Sequence, residues 1–252
     1  MSAKKESLGK TVGVVVAVCL VCSIIVSGSA VGLRELQQTN AKLDKQTNIL
    51  TAAGLYETGM SNADVEQTFK ESVEVRYVDL DSGTFTEAPE ADYDMYKAAK
   101  EKESSTQVVN SNVGFQRRPN VATIYLVHGD NGEVSRLVLP VHGSGLWDLM
   151  YGFLAVDADG QTVRELIYYQ QSETPGLGGE VQNPEWQKKW DGKKLYKDGE
   201  VAIQVKKNAN SEYAVDALSG ATLTSTGVQN TIQYWVGEQG FGPFLKKQAW
   251  RS

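Results

Sequence analysis

A run of uncharged residues near the N-terminus constrains this chain more than any other feature. The run covers residues 11–33, between Lys10 and Arg34, and consists mostly of Val, Ala, Leu, Ile, Cys, Gly and Ser. As a helix it would span about 34 Å, which is enough to cross a hydrocarbon core of roughly 30 Å. We therefore predict a single transmembrane helix over residues 11–33.

The charges that precede this run predict its orientation in the membrane. Lys4, Lys5 and Lys10 precede it, so the positive-inside rule places residues 1–10 in the cytoplasm and residues 34–252 outside. A cleaved signal peptide is the alternative, because a short apolar core followed by small residues would also direct export. Either way, the bulk of the chain is exported.

Both cysteines of the chain, Cys19 and Cys22, lie inside the run. Three residues apart, they would share one face of a membrane helix, where cysteine behaves as a small apolar residue. A tetrahedral metal site needs four ligands, and no His, Asp or Glu lies in the run. We predict no metal site; the alternative is a site that the two thiols share with another subunit. Because the exported part has no cysteine, it can form no disulfide.

The charge balance restricts the possible partners. The chain has 25 Lys and Arg against 31 Asp and Glu, which gives a net charge of −6. Proteins that bind nucleic acids neutralise phosphates with Lys and Arg, so this balance argues against a nucleic-acid partner. Apolar residues make up 41% of the chain, which excludes wholesale disorder.

The residue pattern of the exported part predicts an α+β fold of antiparallel strands with helices packed against them. Two pairs of strand-like segments flank the turn signals Asp-Asn-Gly at 130–132 and Asp-Ala-Asp-Gly at 157–160. A C-terminal helix is predicted from Ser225 onward, with a stripe of apolar residues that packs on the sheet. The stripe consists of Val228, Ile232, Trp235 and Val236.

The other predicted elements follow from the same periodicities. The predicted helices are an amphipathic helix with Leu36, Leu43, Ile49 and Leu50, a helix over 61–72, a surface helix over 91–105 and a helix from Pro184. The first predicted hairpin has strands over 121–127 and 135–139, and the second has strands over 153–156 and 162–169. Further strands are predicted over 73–78, 201–205 and 212–215.

Three glycine-rich turns are candidates for a ligand site: residues 142–147, 173–179 and 216–225. Glycines let backbone amides approach a ligand closely, and a Ser/Thr-rich turn that leads into a helix can bind an anion. The sequence has neither the G-x-G-x-x-G fingerprint of dinucleotide-binding domains nor a P-loop, and it lacks the G-x-S-x-G elbow of serine hydrolases. The turns therefore favour a nucleotide cofactor without identifying it.

The two histidines, His128 and His142, offer little for catalysis. A metal site built on them would need carboxylates at defined spacing, which the sequence does not provide. We interpret His142 as a polar turn residue that hydrogen-bonds to the backbone; direct contact with a cofactor is the alternative.

The third turn carries a recognisable pattern. Residues 216–222, Asp-Ala-Leu-Ser-Gly-Ala-Thr, resemble the flavinylation signature of bacterial FMN-binding domains. The resemblance extends to the other two turns, to the N-terminal anchor, and to the end of the chain from 227–229 through 244–247. Over essentially its whole length, the chain resembles the NqrC family, which belongs to the sodium-translocating NADH:quinone oxidoreductases. Members of that family keep the N-terminal helix, which favours the uncleaved anchor.

The resemblance implies that Thr222 carries FMN through a phosphodiester bond, installed by a separate flavin transferase with FAD as the donor. It implies an FMN-binding part at about residues 121–235, with the phosphate near the start of the C-terminal helix and Thr224 and Ser225 as candidate donors. It also implies that the flavin site includes residues from all three turns and a nearby lysine: Leu146, Trp147, Glu173, Thr174, Leu177, Gly178, Lys207 (or Lys206), Ser219, Gly220, Ala221, Leu223 and Thr224.

The implied function is that of an electron-transfer subunit in the bacterial inner membrane, with its soluble domain in the periplasm. Its partners would be the other membrane and peripheral subunits of a complex that oxidises NADH, reduces ubiquinone and exports sodium. Because the dinucleotide fingerprint is missing, we expect no NADH site in this chain, and no complete activity from it alone. The alternatives are the G subunit of the related ferredoxin:NAD oxidoreductase complex, which carries the same signature, and a membrane-anchored binding module without a redox role.

Overall fold

The computed structural model describes residues 8–129 and 131–251. The chain divides into two compact units, one up to Lys45 and one from Gln46 onward. The helices are α1 Leu8–Ala53, α2 Asn62–Ser72, α3 Met95–Ala98, α4 Pro184–Gln187, α5 Thr222–Trp235 and α6 Gly242–Lys247, with 3-10 turns at Gly178–Gln182, Lys188–Trp190 and Ala249–Arg251. The strands are β1 Val73–Asp79, β2 Thr84–Thr86, β3 Ser105–Gln107, β4 Arg117–Pro119, β5 Val121–His128, β6 Val134–Ser144, β7 Leu149–Asp157, β8 Val163–Gln170, β9 Tyr196–Lys197, β10 Glu200–Val201, β11 Gln204–Lys206 and β12 Ala214–Asp216.

Among the described residues, α1 is the one helix that is long and apolar enough to cross a membrane. The predicted span, residues 11–33, lies within it. Cys19 and Cys22 are both exposed on this helix. Lys4 and Lys5, on which the predicted orientation partly rests, lie outside the described residues.

The last turn of α1 belongs to the core of the second unit. Ile49, Leu50, Ala52 and Ala53 are buried, and the guanidinium of Arg136 donates a hydrogen bond to the carbonyl of Ala53. The amphipathic stripe predicted from the sequence is therefore buried only at its C-terminal end. Its first member, Leu36, is 61% exposed.

A six-stranded antiparallel sheet forms the centre of the second unit, in the order β2-β1-β5-β6-β7-β8. Both predicted hairpins are confirmed: β5 pairs with β6 and β7 pairs with β8. Asp130, the first residue of the first turn signal, lies outside the described residues. In this sheet β6 and β8 lie on opposite sides of β7. The C-terminal end of β6 leads into the first glycine-rich turn, and the C-terminal end of β8 leads into the second.

Helices cover both faces of this sheet, as the alternation of side chains along β7 shows. Leu154 and Val156 belong to the larger core cluster, together with the residues of α5. Phe153 and Ala155 belong to the second cluster, together with the last turn of α1. Residues two apart share a face of a strand, so the near-continuous apolar run of β7 is that of a strand buried on both sides.

The predicted stripe of the C-terminal helix is confirmed, because Val228, Ile232, Trp235 and Val236 are all buried. The helix itself starts earlier than predicted, at Thr222 rather than at Ser225. This difference matters for the site, because it places Thr222 in the first helical position.

The predicted surface helix over residues 91–105 is wrong in extent. Only one turn forms, α3, and the chain then turns into β3 at Ser105. The hydroxyls of Ser104 and Ser105 donate hydrogen bonds to the carbonyls of Ala98 and Glu101. These side chains occupy backbone acceptors that a longer helix would use, which is how serine competes with helix formation.

The strand predicted over residues 201–205 is interrupted. The amides of Ala202 and Ile203 both donate to the carbonyl of Leu195, at 2.8 and 3.2 Å, so the pairing breaks between β10 and β11. After this break β11 pairs in parallel with β12, whereas the pairs of the main sheet are antiparallel.

His142 is not the turn residue that the sequence predicted. It lies inside β6 and is 4% exposed, with its ring centroid 4.4 Å from that of Phe115 and 5.0 Å from that of Trp235. Its Nδ1 has no hydrogen-bond partner in the described part of the chain. Burial among apolar rings disfavours the charged form and lowers the pKa of His142 to about 4.

Candidate functional site

The three glycine-rich turns meet at one cavity of about 210 Å³. The first turn joins β6 to β7, the second follows β8, and the third joins β12 to α5. The described residues that line the cavity are Leu146, Glu173, Thr174, Leu177, Gly178, Gly220, Ala221, Thr222, Leu223 and Thr224. All ten belong to the set that the resemblance implies, so segments up to about 80 positions apart in the sequence converge there.

Three members of that set lie outside the cavity lining. Trp147 stands at the rim: it is 68% exposed and its indole N–H donates to the hydroxyl of Thr174 at 3.2 Å. Ser219 is exposed beside Gly220. Lys207 is exposed after the end of β11 and does not line the cavity. Lys206, the other lysine considered, donates to Gln204 at 3.0 Å.

Glu173 is the one charged residue among those that line the cavity. It is 5% exposed, and its Oε1 accepts hydrogen bonds from the backbone amides of Leu146 and Trp147, both at 2.9 Å. Its Oε2 accepts a hydrogen bond from the hydroxyl of Thr224. One carboxylate therefore connects the second turn to the first turn and to the start of α5.

Two glycines leave room for this carboxylate. A Cβ on Gly145 would stand 2.4 Å from Glu173 Oε1, and a Cβ on Gly178 would stand 2.6 Å from Oε2 and 2.5 Å from the hydroxyl of Thr224. Non-bonded heavy atoms do not approach so closely, so a side chain at either position would have to displace the carboxylate of Glu173 from its hydrogen bonds. The sequence showed both glycines, but nothing in it indicated that Gly145 accommodates a side chain from another turn.

The first turn of α5 is open to a ligand. Its N-cap residue is Ala221, which has no side chain to accept hydrogen bonds from the first amides of the helix. Such amides carry a partial positive charge and form a general site for anions. Because Thr222 occupies the first helical position, an anion bound to its hydroxyl oxygen would lie next to these amides.

The hydroxyls near this helix start differ in availability. Thr224 and Ser225 are 1% and 2% exposed; the first donates to Glu173, and the second accepts from the amide of Leu218 at 3.0 Å. Thr226 donates to the carbonyl of Thr222 at 3.0 Å. The hydroxyl of Thr222 is exposed and makes no hydrogen bond to any described residue. The two candidate phosphate donors, Thr224 and Ser225, are thus already engaged within the protein.

The approach to α5 is held by the side chains of Trp186, which the sequence did not indicate, and of Asp216, the first residue of the signature. The indole N–H of Trp186 donates to the carbonyl of Asp216 at 2.8 Å. The carboxylate of Asp216 in turn accepts from the amide of Ala209 at 2.9 Å. These contacts fix the point where the signature leaves β12, and nothing in the local pattern around Trp186 indicates them.

Substitution of Gly178 by alanine is expected to destabilise the domain by about 1–3 kcal/mol, as for other cases of overpacking. The new methyl group would have to displace the Glu173–Thr224 contact. Chemical denaturation of the full chain in detergent measures this change in the free energy of unfolding. Gly179→Ala is the matched control, because its Cβ would meet no atom closer than 3.2 Å. Equal losses in the two variants would contradict this account.

Comparisons with known proteins agree with a ligand site at this cavity. Residues 145–237 match the family described as FMN-binding domain, and this range includes every residue that lines the cavity. The NqrC protein of the Na⁺-translocating NADH-quinone reductase from Yersinia pestis is 50% identical over 96% of this chain and 93% of its own length. The corresponding protein from Vibrio alginolyticus is 49% identical over 98% of this chain and 97% of its own length.

Solved structures show the same fold. The crystal structure of NqrC from Shewanella oneidensis superposes with a TM-score of 0.77 at 33% identity, covering 82% of this chain and 98% of that one. The crystal structure of the corresponding protein from Parabacteroides distasonis gives a TM-score of 0.67 at 27% identity, covering 84% and 96%. The resemblance inferred from the flavinylation signature is therefore confirmed, and the chain belongs to the NqrC family, as a subunit of the Na⁺-translocating NADH-quinone reductase, an oxidoreductase complex.

Proposed function

We propose that this chain carries one FMN, joined to Thr222 through a phosphodiester, and relays electrons within a sodium-translocating NADH:quinone reductase. The observation that carries the proposal is the state of Thr222. Of the four hydroxyls in residues 222–226, it alone is exposed and uncommitted, and it stands in the first turn of α5 on the wall of the cavity. A group attached there can enter the cavity while its phosphate stays beside the helix N-terminus.

The chemistry of the cavity fits FMN. Leucine side chains and glycine backbone supply apolar surface and close approach for a planar ring, and the open helix start suits the phosphate. A phosphodiester carries one negative charge, and no Lys or Arg is among the described residues that line the cavity. The helix amides would therefore be the main partners of the phosphate, in place of the hydroxyls of Thr224 and Ser225.

Attachment needs an outside enzyme. A threonine hydroxyl is a weak nucleophile without a base or metal, and no group of three potential metal ligands occurs among the described residues. With FAD as donor, the oxygen of Thr222 would bond to the phosphorus of the FMN half, the pyrophosphate bond would break, AMP would leave, and the hydroxyl proton would pass to a base of the flavin transferase. The exposure of Thr222 gives such an enzyme access.

Bound FMN supplies one- and two-electron redox chemistry, and the residues of this chain hold and surround it. Because the bond is made through the phosphate, the ring is left unmodified. Its reduction potential would then depend on the cavity: on the carboxylate of Glu173, on the apolar wall of Leu146, Leu177 and Leu223, and on Trp147 at the rim. We propose that these side chains orient the ring and limit its contact with water.

We further propose the placement that the sequence implies. The N-terminus is cytoplasmic, α1 spans the bacterial inner membrane once through residues 11–33, and the domain from residue 34 onward lies in the periplasm. There it would exchange electrons with other subunits of the complex, and the coupling to sodium export would reside in those chains. The relatives described above are all NqrC proteins, which disfavours the G-subunit and non-redox alternatives.

Intact-mass analysis tests the proposal directly. The full chain, produced together with a flavin transferase, is expected to gain the mass of FMN less one water and to give a fluorescent flavin band on a denaturing gel. A control preparation without the transferase should show the unmodified polypeptide mass. A flavin that is lost on denaturation, or an unmodified chain from both preparations, would contradict covalent attachment.

A further inference from the structure

The side chain of Glu173 contacts two segments that are distant from it in the sequence. Its two carboxylate oxygens accept three hydrogen bonds from two other segments: two from the backbone amides of Leu146 and Trp147, and one from the hydroxyl of Thr224. Thr224 lies 51 positions away in the sequence. The side chain is 5% exposed, so these contacts take place away from bulk water.

The surroundings are shaped to receive this carboxylate. Gly145 directly precedes the two amide donors, and Gly178 lies in the turn that begins with Glu173. A Cβ at either glycine would overlap a carboxylate oxygen of Glu173. The donors are also complementary: two N–H groups and one O–H group point at an acceptor-only side chain. Hydrogen bonds to an ionised group are stronger than those between neutral groups, and their loss leaves buried donors unsatisfied.

We infer that Glu173 is a positioning residue, which holds the start of α5 and the first glycine-rich turn in the arrangement that accepts FMN. This inference rests on the proposed function and concerns the same site. The hydrogen bonds of the carboxylate are directed at the chain, with Oε1 on two amides and Oε2 on Thr224. Its effect on the attachment of the flavin is therefore exerted through the segments that it joins.

The bond to Thr224 has a second consequence for the modification. Thr222 and Thr224 are two residues apart in the first turn of α5, so they point in different directions around the helix. Fixing Thr224 inward on Glu173 leaves Thr222 as the outward hydroxyl that a transferase can reach. In this way Glu173 also determines which threonine is modified.

The test uses the full chain in detergent with purified flavin transferase and FAD, and measures the initial rate of flavin incorporation. Glu173→Ala removes all three hydrogen bonds and is expected to lower the rate about tenfold or more, given the energies of hydrogen bonds to charged groups. Glu173→Gln should retain most of the wild-type rate, because its carbonyl can still accept from the two amides and its NH₂ group can donate to the oxygen of Thr224. Glu180→Gln is the matched control: Glu180 directly follows the turn at residues 173–179, does not line the cavity, and its substitution should leave the rate unchanged.

Substitutions on the other side of the contact provide an independent check. Thr224→Val removes the hydroxyl at constant shape and should lower the rate, whereas Thr224→Ser keeps the hydroxyl and should restore it. Adding Thr224→Val to Glu173→Ala should cause no further loss, because the partner is already gone. After full labelling, the flavin of Glu173→Ala should show lower fluorescence anisotropy than that of the wild type, since its surrounding turns are no longer fixed.

The outcomes separate the two proposals. If the wild-type chain incorporates no flavin, the proposed function itself fails. If the wild type is labelled and Glu173→Ala is labelled at the same rate or faster with unchanged anisotropy, covalent FMN stands and the positioning role is overturned. Far-UV circular dichroism and thermal melting show whether Glu173→Ala folds. If it does not fold, the rates of flavin incorporation of Glu173→Gln and Thr224→Val decide whether Glu173 has the positioning role. A wild-type rate for Thr224→Val would overturn that role.

Discussion

Replacement of Thr222 by valine is expected to abolish covalent flavin incorporation completely. Valine matches the shape of threonine but has no oxygen to bond to phosphorus. The other hydroxyls of this region cannot substitute: those of Thr224 and Ser225 are buried and engaged, and that of Thr226 donates to a backbone carbonyl. Intact mass and in-gel fluorescence after denaturation measure the result. In the assembled complex, the same change is expected to abolish electron transfer to quinone while the partner proteins still co-purify.

Two further variants complete this experiment. Thr226→Val removes a hydroxyl one helical turn away and should be labelled like the wild type, because its hydroxyl only caps the carbonyl of Thr222. Thr222→Ser should retain some labelling, since a primary hydroxyl remains at the same position. A flavin found on the Thr222→Val chain would assign the attachment to another residue, and peptide mapping would show whether that residue is Thr224.

Acid is expected to destabilise the domain through His142, by about 3 kcal/mol between pH 7 and pH 4. The pKa of this residue is lowered from 6.5 to about 4 by burial, so between these values the unfolded chain binds a proton that the folded chain does not. The free energy of unfolding therefore falls as the pH decreases through this window, and this contribution is fully present only above pH 6.5. Urea denaturation of the full chain in detergent at pH 7 and pH 4 measures the difference.

Replacing His142 by a ring that does not titrate tests whether this residue causes the pH dependence. His142→Phe should remove about 3 kcal/mol from the pH dependence, because phenylalanine suits the cluster formed by Phe115 and Trp235 and does not titrate. Identical pH dependence in the wild type and His142→Phe would show that His142 is not buried in the neutral form.

The parts of the fold that could be predicted from the sequence are those that depend on local pattern. The two hairpins follow from turn residues between apolar segments, and the buried stripe of α5 follows from the spacing of Val228, Ile232 and Trp235. The start of α5 could not be placed in this way. Thr222, Leu223 and Thr224 show no apolar period, and Ala221 is not a residue that commonly caps a helix.

The errors have a common physical origin in tertiary contacts. The one-turn extent of α3 depends on where the hydroxyls of Ser104 and Ser105 find acceptors, and the burial of His142 depends on rings from four other segments. A histidine beside a glycine turn is typical of an exposed position, and only the packing of Phe115 and Trp235 over β6 makes it a core residue.

The candidate site shows the same division. The resemblance of residues 216–222 to a flavinylation signature supplied its members, and the structure brings most of them to a single cavity. What the sequence could not supply is the hydrogen-bond partner of each residue. The contact between Glu173 and Thr224 joins two turns that share no sequence pattern. The resemblance implied that Glu173 is a neighbour of the flavin, but it did not imply that Glu173 links the turns.

The burial of the end of α1 has a practical consequence for anyone who wants a water-soluble fragment. Cutting the chain at Gly54, where the helix stops, would remove Ile49, Leu50 and Ala53 from the interior and would deprive Arg136 of the carbonyl that it binds. The shortened product would expose an apolar cleft and would be prone to aggregate. A fragment for crystallisation or spectroscopy should therefore begin no later than Gln46, so that the final two turns of the helix are retained as part of the globule.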